Sequence, residues 1–313
     1  MLIIRGMGEI TAELKGAFVT IGNFDGVHLG HRYIFARMIE EARQVGCKAV
    51  VISFDPHPKM ILHPDKRPFY LISTSEEKIG MLGEIGIDAY IILPFSLEYA
   101  QTTAEEFVRD VLWERLRIRK IIIGHDYTFG RGKQGNEAFI AAEGRKLGFA
   151  VEAMNAFRIG EEIVSSTKIR EAILKGDVGF AAMLLGRPYN ISGRVVPGDQ
   201  RGLELGFPTA NVEANKELLP VKGVYAVRCV LRGKSLDGVL NVGFNPTFSG
   251  GKLTIEVHIF DFHENIYGET LEVLFIGRIR DEIRFAGPKE LIAQINKDIS
   301  QARRILSSPD NEG

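Results

Sequence analysis

Residues 18–31, FVTIGNFDGVHLGH, constrain this chain more than any other stretch. Phe18 to Ile21 is a short apolar, β-branched run that reads as a buried parallel strand. A glycine-bounded turn follows, from Gly22 through Gly26. After Gly30, residues Ile34, Phe35, Met38, Ile39, Ala42 and Val45 fall on one face and predict a helix over 31–45. A strand, a tight turn and a helix N-terminus together make an anion site, because unpaired N–H groups and the helix dipole converge there. His28 and His31 sit at that point, one helical turn apart. Two imidazoles at this spacing also suit zinc or an ordinary surface. No Cys or acidic third ligand is grouped with them, so phosphate oxygens are the better match.

The remaining sequence alternates strands and helices up to about 185. Strands are expected at 48–54, 88–93, 119–123 and 149–154. The loop at 55–68 carries four prolines and is expected to hold no regular element. Ser73 with Glu76, or Thr74 with Glu77, fits a capping box for a helix ending near 85, and Thr103 with Glu106 fits a second. The apolar stripe Phe107, Val108, Val111, Leu112, Leu116 follows that second box. A polar, glycine-rich loop, GHDYTFGRGKQGN at 124–136, ends in Asn136, which can cap a helix to 147. This rhythm predicts an α/β, Rossmann-like domain with a parallel sheet, its ligands bound beyond the carboxyl ends of the strands.

The character changes near Gly186-Arg187-Pro188, after short helices at 167–175 and 178–185. Strand-like pieces at 189–196, 223–231, 238–243, 253–260 and 271–276 predict a small antiparallel β-barrel. In the last-but-one of these, Leu253, Ile255, Val257 and Ile259 alternate with Thr254, Glu256, His258 and Phe260. Pro288 opens a C-terminal helix whose apolar face is Leu291, Ile292, Ile295, Ile299 and Ile305, and the tail after it is expected to fray. The expected domains are 1–185 and 186–313. At 313 residues the chain has room for about two. A net charge of −1 gives no general attraction to nucleic acid or anionic membrane. Cys47 and Cys229 form neither a disulfide framework nor a metal spacing, which fits a reducing cytoplasm. The N-terminus lacks the apolar core of a signal peptide, and no run approaches transmembrane length.

Two further motifs carry chemistry. SSTKIR at 165–170 places Ser165, Ser166 and Thr167 at a helix start, with Lys168 and Arg170 able to meet a triphosphate. GFPTAN at 206–211 places Thr209 and Asn211 two apart on one face, as oxygen ligands for Mg²⁺. The glycine-rich loop before it, 198–206, can lie over phosphates through backbone N–H groups, and no Gly-Lys-Ser/Thr follows to make it a Walker A loop.

GNFDGVHLGH (22–31), FDPHP (54–58), the 124–136 loop and SSTKIR, in this order, resemble the adenylyltransferase half of the bacterial bifunctional riboflavin kinase/FMN adenylyltransferase (FAD synthetase) family. GRPYNISGRVVPGD (186–199), LGFPTANV (205–212), KGVYAV (222–227), GVLNVGFNPTF (238–248), IEVHIFDF (255–262) and IYGETLEV (266–273) resemble its flavokinase half. The resemblance implies phosphorylation of riboflavin to FMN by ATP, then adenylylation of FMN to FAD with release of pyrophosphate. It implies catalytic roles for His28, His31 and Glu256, the last as the base for the ribityl 5′-hydroxyl. ATP and its phosphates would be held by Gly22, Asn23, Phe24, Asp25, Gly30, Asp126, Ser166, Thr167, Lys168, Arg170 and Gly206, and Mg²⁺ by Thr209 and Asn211. The flavin of the first domain is expected at the 55–68 loop. The chain departs from the family pattern at His125, commonly acidic there, and at Val212, commonly Ile.

Overall fold

The computed structural model describes residues 1–66, 68–198, 201–244 and 253–308. Residues 245–248 of the GVLNVGFNPTF motif, Asp199 and Gln200 of the glycine-rich loop, and the end of the tail lie outside the described residues. The chain packs as two units. One comprises 1–69 and 73–165; the other comprises 70–72 and 166–313.

The first unit contains β1 (Leu2–Arg5), β2 (Phe18–Ile21), α1 (Leu29–Gln44), β3 (Ala49–Asp55), α2 (Pro58–Leu62), α3 (Ser75–Ile85), β4 (Ala89–Pro94), α4 (Ala104–Phe107), β5 (Lys120–Gly124), α5 (Glu137–Leu147) and β6 (Ala150–Met154). A two-stranded ribbon, β7 (Arg158–Ile159) and β8 (Glu162–Ile163), closes it. The sheet runs β1-β4-β3-β2-β5-β6 with every pairing parallel. Its strands are apolar throughout because both faces are covered. Phe35, Met38, Ile39 and Leu82 fill one side; Phe107, Val111, Leu112 and Ile140 fill the other. After β4 the chain crosses back to pair β5 with β2, so strand order reverses beside β2 and a crevice opens at its carboxyl end.

Local rules explain most element ends. Thr103 and Glu106 form the expected capping box, and Asn136 accepts the Phe139 N–H at 3.0 Å. Of the two boxes open at α3, Thr74 with Glu77 is the one formed. Beyond α4 the helix continues to Arg115 with π-type pairing. The four-proline loop does contain a regular element, contrary to expectation. Pro58 sits in the first turn of α2, where its missing N–H costs nothing, and the His57 ring accepts the Lys59 N–H at 3.1 Å.

The second unit begins with α6 (Ser166–Lys175) and α7 (Val178–Leu185). The strands β9 (Tyr189–Val196), β10 (Ala210–Ala214), β11 (Gly223–Leu231), β12 (Lys234–Phe244), β13 (Leu253–Ile259) and β14 (Thr270–Arg280) follow, with a short α8 (Arg201–Glu204) between the first two. They close a barrel in the order β10-β13-β12-β11-β14-β9, antiparallel at each pairing. Ile255, Val257 and Ile259 point into it as their alternation predicts. The last helix, α9 (Pro288–Leu306), packs Ala302 and Leu306 on Val224, Ala226, Val239 and Phe260.

Candidate functional site

The β2–α1 turn has an unusual backbone. Phe24 (φ 49°), Gly26 (φ 85°) and Val27 (φ 42°) all have positive φ. A β-branched residue there is an outlier, and each such non-glycine residue costs about 1–3 kcal/mol. Such strain persists only where the surroundings over-determine it, and here they do. The Gly26 N–H donates to Ser73 Oγ at 3.0 Å, Asp25 Oδ1 accepts the Ser73 N–H at 3.2 Å, and the Asn23 carbonyl accepts Lys78 Nζ at 2.8 Å. Asp25 is 2 % exposed and faces Ser73. A Cβ on Gly22 would meet the Phe24 ring at 2.9 Å, so a side chain here would push that ring aside.

His28 is the N-cap of α1, which starts at Leu29 rather than 31. Its Nδ1 accepts the His31 N–H at 3.3 Å, so the neutral ring carries its proton on Nε2. The rings of His28 and His31 stack, centroids 3.5 Å apart, and the Phe24 ring sets its edge against His31. Burial above all, then the neighbouring His28 and Lys78, hold the His31 pKa well below 6.5, so at neutral pH its ring is uncharged. Gly30 is close to His28: a Cβ would approach its ring to 3.2 Å.

His31, Gly22, Asn23 and Phe24 line one end of a cavity of about 910 Å³ at the crevice beside β2. Asp126, expected near the nucleotide, lines it too. Phe54, Tyr99, Phe107, Tyr127 and Phe129 give it an aromatic lining, which the sequence reading assigned to no ligand. Pro58, Lys59, Leu62 and His63 of the proline-rich loop complete it. The Tyr99 and Tyr127 hydroxyls are buried without a hydrogen-bond partner among the described residues. Burial raises both pKa values, Tyr99 to about 12. Ser166, Thr167, Lys168 and Arg170 occupy the first turns of α6, in the second unit; Ile169, Ala172 and Ile173 form its buried face.

The second unit has its own cavity, about 390 Å³, between the outer face of the barrel and α9. Asn211 pairs with Glu256 across β10 and β13, and Glu256 pairs with Asn241 across β13 and β12. The three side chains therefore sit at one level on one face, and all line the cavity with Thr209. Asn241 had a readable signal, an amide inside the apolar run GVLNVGF. His258, two residues beyond Glu256 on the same face, holds the Pro208 carbonyl at 2.8 Å and so orders the backbone entering Thr209. Val224, Val239, Leu240, Leu291 and Ile295 give it an apolar side, and the charged Arg280, Glu282 and Asp298 line it too. A second hollow, about 310 Å³, shares Thr209 and is walled by Phe262, Ile266 and Tyr267. Gly198 and Gly202 let the preceding loop approach: a Cβ on Gly198 would lie 2.0 Å from the Asn211 amide, and one on Gly202 would lie 2.4 Å from the Phe207 carbonyl. Gly206, exposed at φ 87°, provides the turn into the motif.

Fold and sites define the class: a two-unit enzyme of phosphate-transfer chemistry, with a strained helix-capping turn in one unit and a carboxylate among neutral oxygen donors in the other. The FAD synthetase family model matches residues 10–168 and the riboflavin kinase model residues 185–306. A bifunctional riboflavin kinase/FMN adenylyltransferase of Haemophilus influenzae is 38% identical, covering 98% of this chain and 100% of its own length. That of Escherichia coli K12 is 39% identical, covering 98% of each. A crystal structure described as a macrolide-efflux protein from Streptococcus pneumoniae superposes with a TM-score of 0.88 at 33% identity, covering 97% of this chain and 99% of that one. No helix among the described residues of the present chain is long and apolar enough to cross a membrane. The chain belongs to the bifunctional riboflavin kinase/FMN adenylyltransferase family.

Proposed function

We propose that the two cavities divide the two reactions of this family between residues 186–313 and residues 1–185. The chain phosphorylates riboflavin to FMN with ATP, then adenylylates FMN with a second ATP to give FAD and pyrophosphate. The observation that carries the division is that each unit has its own cavity, lined by its own motif.

In the barrel, Glu256 accepts the proton of the ribityl 5′-hydroxyl as its oxygen attacks the γ-phosphorus of ATP, and the bond to the β-phosphate oxygen breaks. The apolar lining under α9 takes the flavin ring, and the hollow on the other side of Thr209 takes the nucleotide. Mg²⁺ bound with ATP would neutralise phosphate charge. No cluster of three His, Cys, Asp or Glu able to hold a metal exists among the described residues. The Thr209 hydroxyl and Asn211 amide oxygen are hard donors that fit an ion carried largely by its phosphates.

In the sheet unit, an FMN phosphate oxygen attacks the α-phosphorus and pyrophosphate departs, with no covalent enzyme intermediate. Catalysis is alignment and charge stabilisation. His28 through Nε2–H and the neutral His31 donate to the phosphates in flight. Gly22, Asn23, Phe24 and Gly30 shape the turn, which Asp25 braces, and Asp126 meets the nucleotide. By motif alone, Ser166, Thr167, Lys168 and Arg170 are assigned to the departing pyrophosphate. The aromatic wall and the orphaned Tyr99 and Tyr127 hydroxyls suit the flavin, beside the 55–68 loop. The free cysteines Cys47 and Cys229 and the balanced charge fit a cytoplasmic enzyme of small molecules, with neither nucleic acid nor membrane as partner.

Incubation of the purified protein with riboflavin, ATP and Mg²⁺, followed by chromatographic separation of flavins, tests the reading. FMN followed by FAD is expected; absence of both would sink it.

A further inference from the structure

We propose that Lys78 is a positioning residue for adenylyl transfer: its ammonium holds the Asn23 carbonyl and keeps the strained Phe24–Val27 turn in the shape that presents His28 and His31. The proposal rests on the assignment of those two histidines to the reacting phosphates. Lys78 lies on α3 and does not line the cavity, so it acts through the turn and not on substrate.

Several observations converge on it. Lys78 Nζ reaches the Asn23 carbonyl at 2.8 Å, and Ser53 Oγ reaches the same oxygen at 3.4 Å. That carbonyl immediately precedes Phe24, the first positive-φ residue of the turn. Ser73, at the other end of the same α3 entry, fastens Gly26 and Asp25. The turn is thus held at both ends by one segment, Ser73 through Lys78. A lysine is a costly choice for a partly buried clamp: burial lowers its pKa, and the nearby carboxylates Asp25 and Asp55 work against that shift. A neutral donor would serve hydrogen bonding alone. What the cation adds is charge beside the histidine pair. Of the charged and titratable groups near His31, Lys59, His63, Asp126 and Lys133 share its cavity, while burial, His28 and Lys78 are what oppose its protonation.

The test uses the full chain and follows FMN-to-FAD conversion across pH, with riboflavin-to-FMN conversion as an internal gauge of folding. Lys78→Met should lower kcat for adenylylation about 10- to 100-fold with the KM for ATP nearly unchanged, because the reacting groups are misplaced rather than unbound. Its acid limb should move to higher pH, since His31 protonates more readily without the neighbouring cation. Lys78→Arg should recover most of the rate and the original limb. FMN formation should be untouched in both. Adenylylation by Lys78→Met within about twofold of the parent, or a loss that Arg does not rescue and that leaves the acid limb in place, would overturn the proposal. If Lys78→Met also loses kinase activity through misfolding, Lys78→Gln decides by the same readouts; misfolding of both would overturn it in favour of a lysine needed only for the fold. His31→Asn separates the two levels: unchanged adenylylation in that variant refutes the histidine assignment itself, whatever Lys78 does.

Discussion

Replacing Asp298 by alanine should destabilise the barrel unit more than any other single change on α9. Asp298 is 4 % exposed, yet it sits in the middle of an otherwise amphipathic helix. Its carboxylate accepts Arg280 Nε at 2.9 and 3.0 Å and Arg280 Nη2 at 2.7 Å, and Gln294 donates to it at 2.8 Å. Removing it takes the carboxylate from a guanidinium that is itself only 17 % exposed and keeps the Asp281 carbonyl as a partner. Breaking a buried pair by deleting one partner costs about 3–5 kcal/mol. For a unit of about 150 residues each kcal/mol lowers Tm by about 2–4 °C, so a fall of about 6–20 °C is expected. Calorimetry of the full chain should show it in the transition that riboflavin shifts. Because Arg280 and Asp298 also line the cavity, the KM for riboflavin should rise while FMN adenylylation is unchanged. The double change Arg280→Met with Asp298→Leu should recover most of the lost stability, since no charge is then left unpaired. A fall of less than about 2 °C in Asp298→Ala, or a double variant as unstable as the single, would refute the account.

Glu256→Gln should slow FMN formation about 10²- to 10⁴-fold, the usual worth of a general base, and leave conversion of supplied FMN to FAD intact; equal loss of both products in a flavin assay would contradict two independent sites. His28→Ala with His31→Ala should do the reverse, abolishing FAD while FMN accumulates. Asn211→Ala should raise the Mg²⁺ concentration needed for half-maximal FMN formation about tenfold, read from a metal titration at fixed ATP. The first unit should lose stability as pH falls below 6.5. His31 has its pKa lowered by burial, so the unfolded chain binds the proton first, and stability drains from 6.5 down through the folded value. His31→Asn should flatten that slope in denaturant titrations at successive pH values.

The sequence announced those elements whose job is packing. Ile255, Val257 and Ile259 alternate inward as read, and the apolar strands of the sheet are covered on both faces. It was least legible where polar groups act across long separations. Ser73 looked like a helix cap, an option equal to Thr74 by spacing. Its actual partners are Asp25 and Gly26, 48 and 47 residues away, and no local rule reports them. The face of α9 shows the same limit. Leu291 and Ile295 are only half-buried because they wall a cavity, while the most deeply set polar residue is an aspartate whose partner is on β14. The short helix within 55–68 was hidden by counting prolines without asking whether one of them stood in a first turn.

The two sites differ in the way their nucleophiles require. An alcohol keeps its proton at neutral pH, so phosphorylating riboflavin needs a base, and the barrel offers Glu256 flanked in register by two neutral amides, Asn211 and Asn241. A phosphate monoester has lost both protons by about pH 7, its second pKa being about 6, so FMN attacks without help. A carboxylate pointing out of the β2–α1 turn itself would repel it. The carboxylate of the β2–α1 turn, Asp25, faces away onto Ser73, and the groups presented at the turn are imidazole, backbone N–H and, behind them, the Lys78 cation. Turning Asp25 outward would place two anions face to face, so Ser73→Ala, which removes the hydroxyl Gly26 donates to and one of the two Ser73 groups that meet Asp25, should slow adenylylation through the very carboxylate the native turn conceals. Ser73→Ala combined with Asp25→Asn should regain part of that rate if repulsion is the cause, and none if the turn has simply loosened.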